Sequence, residues 1–436
     1  MEQQQQPVPL SASEPGNFVY DTMKDRVPRI LTKCIDVCHK KVYILHKDFG
    51  EEGRLDCQSV IGQLSQLRTE IMTNKPLTVL DDKLADCYIW NNRFNEYVSI
   101  HKSSPSWFDA PWLYAECFCY RKIMSILSKS KYLQNFDVFS DQKKLALTQS
   151  LPAVKNLTEF LNEVSHGNLS DSEMLKLRFQ DFLHISLWGN KCDLSLSGGE
   201  ENSQNNKEPH KNLTVLEPFL LHDSTNRIFA HLQENTSKAV VDIILDNSGF
   251  ELFTDLVFAE FLLAYKLATQ VRFHPKTMPW FVSDVTPNDF RETINFLLHD
   301  ESDILRNLAS KWKQRLEDKS FLLFSEESIT YFWTLPDPFC FMKTVSPTLH
   351  NILENSKLLI FKGDLNYRKL VSDWNWPHDT SFCKALRGFS PAPLCSLRTL
   401  KAPLVVGLTD EDVQSAVKKN CDWMVTGKYA VVQSSM

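Results

Sequence analysis

The sequence predicts an α/β protein: a three-layer α/β/α domain around a mainly parallel sheet, preceded by a helical region. Three observations carry this. Up to about residue 170 the apolar residues recur with the helical period. From residue 239 four short runs rich in β-branched, aliphatic or aromatic residues appear, each leading into a polar cluster. Between the first two runs lies TDLVFAEFLLAYKLA, an amphipathic segment of helical length. Strand, helix and strand within roughly 30–40 residues make a βαβ unit. Such units wind right-handed and build parallel sheets.

The elements follow in chain order. Residues 1–16, MEQQQQPVPLSASEPG, read as a disordered tail, polar and rich in Gln and then Pro and Ser. They lack the charged and apolar regions of a secretory signal. Residues 17–170 are expected to form a helical bundle or cap. There DRVPRILTKCIDVCHKKVYILHKDF sets Ile30, Leu31, Cys34, Ile35, Cys38, Val42 and Leu45 on one stripe. SVIGQLSQLRTEIMT repeats the pattern with Ile61, Leu64, Leu67 and Ile71, and PWLYAECFCYRKIMSIL and SLPAVKNLTEFLNEV follow. Residues 171–436 are assigned to the α/β/α domain, with a flexible polar loop at 195–212. Its four predicted strands are Ala239–Leu245, Gln270–His274, Lys357–Phe361 and Ala392–Leu397. A stretch at about 300–345, around FLLFSEESITYFWTLPDPF, is read as an insertion.

Composition narrows the function classes. The 436 residues are 43% apolar and 23% charged, enough for a sizeable core, and 28 Phe and 10 Trp make that core aromatic-rich. The net charge of -6 and the lack of a long basic run argue against direct nucleic-acid binding. No stretch nears the ~18 apolar residues of a membrane span. Eleven cysteines, odd in number and without paired spacing, fit a reducing compartment, cytosol or nucleus. Cys34, Cys38 and His39 share a helix, but no second ligand pair accompanies them, so they read as packing. No P-loop, GxGxxG, HExxH, GxSxG or kinase signature occurs.

In open α/β sheets ligands bind at the carboxyl ends of the strands. That rule gathers the polar clusters on one rim. Asp246 and Asn247 leave the first strand, and Asp284 follows the second. Carboxylate and amide oxygens are hard donors, suited to a divalent ion that keeps several waters. Asp246 as a simple helix N-cap is the competing reading. The third strand leads into KGDLNYRK. Here Gly363 permits a tight turn, Asp364, Asn366 and Arg368 offer acceptors and a forked cation, and Tyr367 is placed to stack on a sugar face. The fourth leads to Arg398 and Lys401, cations for a phosphate. Asn190 and Asp193, in LWGNKCDLSLSGG, either complete the site or shape a turn.

Taken together, LWGNKCDLSLSGGE, LDNSGFELFTDL, PWFVSD, FKGDLNYRKL and PLCSLRTLKA resemble, in that order, the acidic-residue methyltransferase-type branch of the damage-control phosphatase family. The resemblance runs from about Asn17 to the C-terminus. It implies a helical region on an α/β/α domain and a divalent-metal-dependent phosphoric monoester hydrolase. The implied ion is Mn2+ or Ni2+, with Co2+ or Mg2+ as alternatives. The implied substrates are reactive sugar phosphates such as fructose 1-phosphate and fructose 6-phosphate. Asp246, Asn247 and Asp284 match metal ligands that also meet substrate. Asp364, Leu365, Asn366, Tyr367 and Arg368 match a substrate loop. The subfamily motif matches Arg398, Thr399, Leu400 and Lys401, with Lys401 on the phosphate.

The same branch implies a second activity, S-adenosylmethionine-dependent methylation of protein glutamates in the DNA damage response, with the DNA sliding clamp as a partner. Glu251 matches a contact to that methyl donor. The turn Asp-Asn-Ser-Gly after the first strand suits a metal better than a methyl donor. A third expectation is a non-enzymatic module that uses the helical half as a partner surface.

Overall fold

The computed structural model describes residues 6–167, 171–189, 209–234 and 239–436. Asn190, Asp193 and the expected loop as far as residue 208 lie outside them. The last residues of that loop open a helix, Pro209–Leu216.

One seven-stranded sheet organises the described residues. Its strands are β1 (Leu220–Asp223), β2 (Val240–Ile244), β3 (Gln270–His274), β4 (Phe321–Leu323), β5 (Leu358–Lys362), β6 (Leu394–Thr399) and β7 (Ala430–Ser435). The spatial order is β1-β7-β6-β5-β2-β3-β4. All neighbours pair in parallel except β6 and β7, so the sheet is mainly parallel, as the sequence predicts. The four predicted strands are β2, β3, β5 and β6. Three others were not read. β4 lies inside the stretch taken as an insertion, β1 and β4 are edge strands of four and three residues, and β7 ends in polar residues.

Helices cover both faces. Along β5 the side chains alternate, as the pleat requires. Leu359 and Phe361 join one apolar cluster, and Leu358 and Ile360 join the other. The first cluster takes Val27, Leu31, Leu64 and Leu67 from the long bent helix Val27–Met72, together with Trp112, Phe118 and Leu127 from the helix Trp112–Ser128. The second takes the helices Leu151–His166, Ser172–Leu187 and Phe250–Ala264. The helix Leu151–His166 therefore packs with the layers of the sheet. The two clusters part between residues 139 and 153, ahead of the division expected at 170.

The tail expectation is corrected beyond the undescribed first residues. Leu10 N–H donates to the Asp373 carbonyl at 2.9 Å, Trp112 N–H donates to the Leu10 carbonyl at 2.7 Å, and Ala12 is buried. Composition cannot show this, because what holds the segment is backbone pairing with distant chain.

Candidate active site

The chain leaves β2 toward β3 and β4, then returns to the other side of β2 as β5 and moves on to β6. The crevice between the carboxyl ends of β2 and β5 is therefore a topological switch point. β2 delivers Asp246 and Asn247, and β5 delivers Gly363 and Asp364. The loop after β3 is laced alongside. Val285 N–H donates to the Asp246 carbonyl at 2.8 Å, Ser248 N–H donates to the Ser283 carbonyl at 2.7 Å, and Asn247 pairs with Asp284. This lacing brings Asp284 beside Asp246 although 38 positions separate them.

A cavity of about 110 Å³ lies there, lined by Asp246, Asn247, Asp284, Asp364, Leu365, Arg368 and Lys401 from the α/β layers. Trp112 and Glu116 of the helical region form part of its wall. Asn247 Nδ2 donates to Asp246 Oδ2 at 2.6 Å and to Glu251 Oε2 at 2.8 Å, and Ser283 Oγ donates to Asn247 Oδ1 at 2.5 Å. Burial first, then the charges of Glu251 and Asp284, hold the Asp246 carboxyl well above its ordinary range. Burial pushes Asp284 up to about 6, against the pull of Lys276, whose Nζ lies 3.6 Å from Asp284 Oδ2. Among the described residues that buried Oδ2 has no hydrogen-bond partner. Asp364 goes the other way. Burial alone would raise it, but Arg398, Arg368 and the Lys401 N–H together hold it low.

Asp246, Glu251 and Asp284 thus form a buried carboxylate cluster in which burial holds Asp246 and Asp284 up despite the nearby lysines. This fits a hard divalent cation. Among the described residues no group of three His, Cys, Asp or Glu side chains is arranged to hold a metal. The protein's share would be the Asp246 and Asp284 carboxylates and the Asn247 amide oxygen, with water completing the shell, as for ions that dehydrate reluctantly. Lys401 faces this cluster across the cavity, and its side chain enters no ion pair among the described residues.

Other expected site residues have different work. Tyr367 does not stack on a sugar. It is fully buried, its hydroxyl donates to Gln433 Oε1 at 2.8 Å and accepts from Val406 N–H at 3.1 Å, and Arg398 lies 4.1 Å from its ring centroid. Asn366 is an anchor beneath the site. Its Nδ2 donates to the Lys362 carbonyl at 2.7 Å and the Leu245 carbonyl at 3.2 Å. Arg398 is also buried, donating to Asp364 Oδ1 at 2.8 Å and to the Leu404 carbonyl at 2.7 Å. Thr399 ends β6, and Leu400 is buried apolar packing. Arg368 reaches the cavity already engaged, by Asp373 at 2.8 Å, Glu116 at 2.6 Å and the Trp112 ring at 3.4 Å. Glu251 sits in the first turn of Phe250–Ala264, buried, with Lys362 Nζ at 3.5 Å.

Several residues escaped the sequence reading. Lys276 follows β3 and donates to the Leu245 carbonyl at 3.0 Å, so the rim rule applied to QVRFHPK would have found it. Behind Glu251, Lys362 Nζ donates to Asp255 Oδ1 at 2.6 Å and the Ser186 carbonyl at 2.6 Å. Burial pushes Asp255 up to about 6, with Lys362 opposing. Trp112 and Glu116 carried no signal, because nothing local ties them to a sheet hundreds of residues away.

Comparison with known proteins places the chain in a family. Residues 22–417 match the model of the damage-control phosphatase ARMT1-like domain. The chain belongs to this family. It is 42% identical over 440 residues to a zebrafish (Danio rerio) protein named damage-control phosphatase ARMT1, covering 98% of this chain and 97% of the relative. The Xenopus laevis protein of that name is 42% identical over 443 residues, with 98% and 99% covered. The human protein is 40% identical over 437 residues, with 98% of each chain covered. Among the described residues no helix is long and apolar enough to cross a membrane.

Proposed function

We propose that the chain is a divalent-metal-dependent phosphatase that hydrolyses small reactive sugar phosphates, fructose 1-phosphate and fructose 6-phosphate among them, as a form of metabolite damage control. The observation that carries this is the buried cluster of Asp246, Glu251 and Asp284 facing Lys401, which is in no ion pair among the described residues, across a cavity of about 110 Å³. Family membership and relatives named damage-control phosphatases support it.

Mn2+ or Ni2+, or alternatively Co2+ or Mg2+, would be held by Asp246, Asn247 and Asp284. When bound, the ion supplies a water acidic enough to react near neutral pH and draws charge from a phosphoryl oxygen. The chain does the rest. The Asp246 and Asp284 carboxylates orient the attacking water and take its proton. The new bond joins water oxygen to phosphorus as the bond to the sugar oxygen breaks, and the proton taken from the water passes to the departing sugar oxygen. Lys401 neutralises the equatorial oxygens, and Arg368 adds its field from the wall. Asp364, held low by Arg398, stays ionised and accepts from a sugar hydroxyl. Trp112 and Glu116 exclude bulk water, which strengthens these interactions.

The methyl-transfer reading gains no separate support, because Glu251 is buried and bonded to Asn247. The test is a panel of phosphorylated sugars offered to chelated protein, with each divalent ion restored in turn. Metal-restored hydrolysis, abolished by Asp246→Ala in a folded protein, is expected. Full turnover in Asp246→Ala would overturn the assignment.

A further inference from the structure

A second chamber adjoins the first. A cavity of about 420 Å³ shares Arg26, Phe281 and Ser283 with the catalytic cavity and extends along the start of the long helix. Its floor carries Arg26, Arg29 and Lys33, spaced three and four apart and so on one helical face. All three are exposed, and among the described residues none enters an ion pair and no carboxylate lines the chamber. A solvated helix face ordinarily mixes signs, so a concave wall of one sign is a built feature that concentrates anions.

Two backbone features coincide with the partition between the chambers. Thr22–Arg26 is a π turn, a local widening of the helix common at functional sites, and it ends at Arg26. Across from it, Phe281 and Val282 both have positive φ, 41° and 73°. A β-branched residue in that region is an outlier, and such strain persists where the surroundings impose it, often beside a ligand. Ser283, next in the chain, bonds Asn247 in the carboxylate cluster. The same loop thus shapes one wall of each chamber.

We propose that the basic chamber is a subsite for a second anionic group. The preferred substrates are then phosphate monoesters whose carbon skeleton carries another phosphoryl group, with the scissile phosphate at Lys401 and the other over Arg29 and Lys33. This rests on the phosphatase reading and narrows its substrate class. The volume suits a ligand larger than a lone phosphate, since small-molecule pockets begin at roughly 300 Å³.

Calorimetry on chelated protein compares fructose 1,6-bisphosphate with fructose 6-phosphate, for the native chain, Arg29→Ala/Lys33→Ala, and Lys418→Ala/Lys419→Ala as a control with equal loss of charge. The native chain and the control are expected to bind the bisphosphate at least tenfold more tightly. The Arg29→Ala/Lys33→Ala variant is expected to lose that advantage while keeping its affinity for the monophosphate and its metal-restored turnover of it. Equal native affinities for the two ligands, an advantage that survives in Arg29→Ala/Lys33→Ala, or an equal loss in the control overturns the subsite. Should no ester be hydrolysed by any metal-restored form, the phosphatase reading alone fails, and the binding comparison still decides the chamber.

Discussion

Gly363 has no room for a β-carbon. One placed there would lie 2.0 Å from Asp246 Oδ2, at a φ of +82° that disfavours any side chain. Gly363→Ala should displace Asp246 and cut kcat/KM by about 100-fold or more, by analogy with misplaced catalytic groups. Circular dichroism should still show a folded chain. Tyr367→Phe should do the reverse. It removes a buried hydroxyl bonded to Gln433 and Val406, so it should cost about 1–2 kcal/mol in denaturant unfolding and leave KM nearly unchanged. A large KM effect there would restore Tyr367 to the substrate. Asp284 sets a pH dependence. Its folded pKa of about 6 exceeds the ordinary 3.8, so between those two pH values the metal-free folded chain holds a proton that the unfolded chain gives up. The stabilisation this gives is complete below pH 3.8 and is lost as pH rises through about 6. Asp284→Asn should therefore raise the melting temperature of the chelated protein at pH 7.5 and leave it little changed near pH 4. The opposite order would place the charge deficit elsewhere. At this scale the rim position of Asp246 and Asn247 was legible because they leave β2 directly, and Asp284 was legible only as part of the loop that follows β3. The parts of Tyr367 and Asn366 were not, because a turn sequence does not say which side chains point back into the core.

The loop carrying Asp284 is fixed from its far side by the helix Pro287–Leu298. Thr286 caps it reciprocally with Asp289. Thr286 N–H donates to Asp289 Oδ2 at 2.8 Å, and Asp289 N–H donates to Thr286 Oγ1 at 3.3 Å. Lys143 from the helix Ser140–Gln149 adds an ion pair to the same carboxylate at 2.5 Å. Thr286→Ala should cost about 1–2 kcal/mol, read from urea unfolding, as for other buried N-caps. A cost near zero would mean that Lys143 alone holds the turn. At the element scale the four central strands were legible. β2 and β5 are buried on both faces, and such strands read as continuous apolar runs. β1, β4 and β7 escaped because a run of three or four residues, or one ending in Gln-Ser-Ser, carries neither period long enough to register. The polar tail escaped for a different reason: Leu10 is held by bonds to Asp373 and Trp112 that no local pattern encodes.

The helical region and the α/β layers form one functional body, and a buried ion pair shows how. Arg368 NH1 donates to Glu116 Oε2 at 2.6 Å across a separation of 252 residues, with both side chains almost fully buried. Arg368 also holds Asp373, to which Leu10 is bonded. Glu116, Arg368, Asp373 and the tail therefore make a single brace around the cavity that holds Asp246 and Lys401. Removing one partner of such a pair strands a charge, at about 3–5 kcal/mol, whereas removing both relieves it. Glu116→Ala should fall at the low end, since Asp373 still engages the guanidinium. Arg368→Ala should cost more, because it leaves two carboxylates unpaired. The double variant should be less destabilised than the sum of the singles by roughly 1–3 kcal/mol. Guanidinium unfolding of the four proteins gives the cycle. If the two costs simply add, the pair is not what joins the helical region to the site, and the wall formed by Trp112 must be held by apolar packing alone.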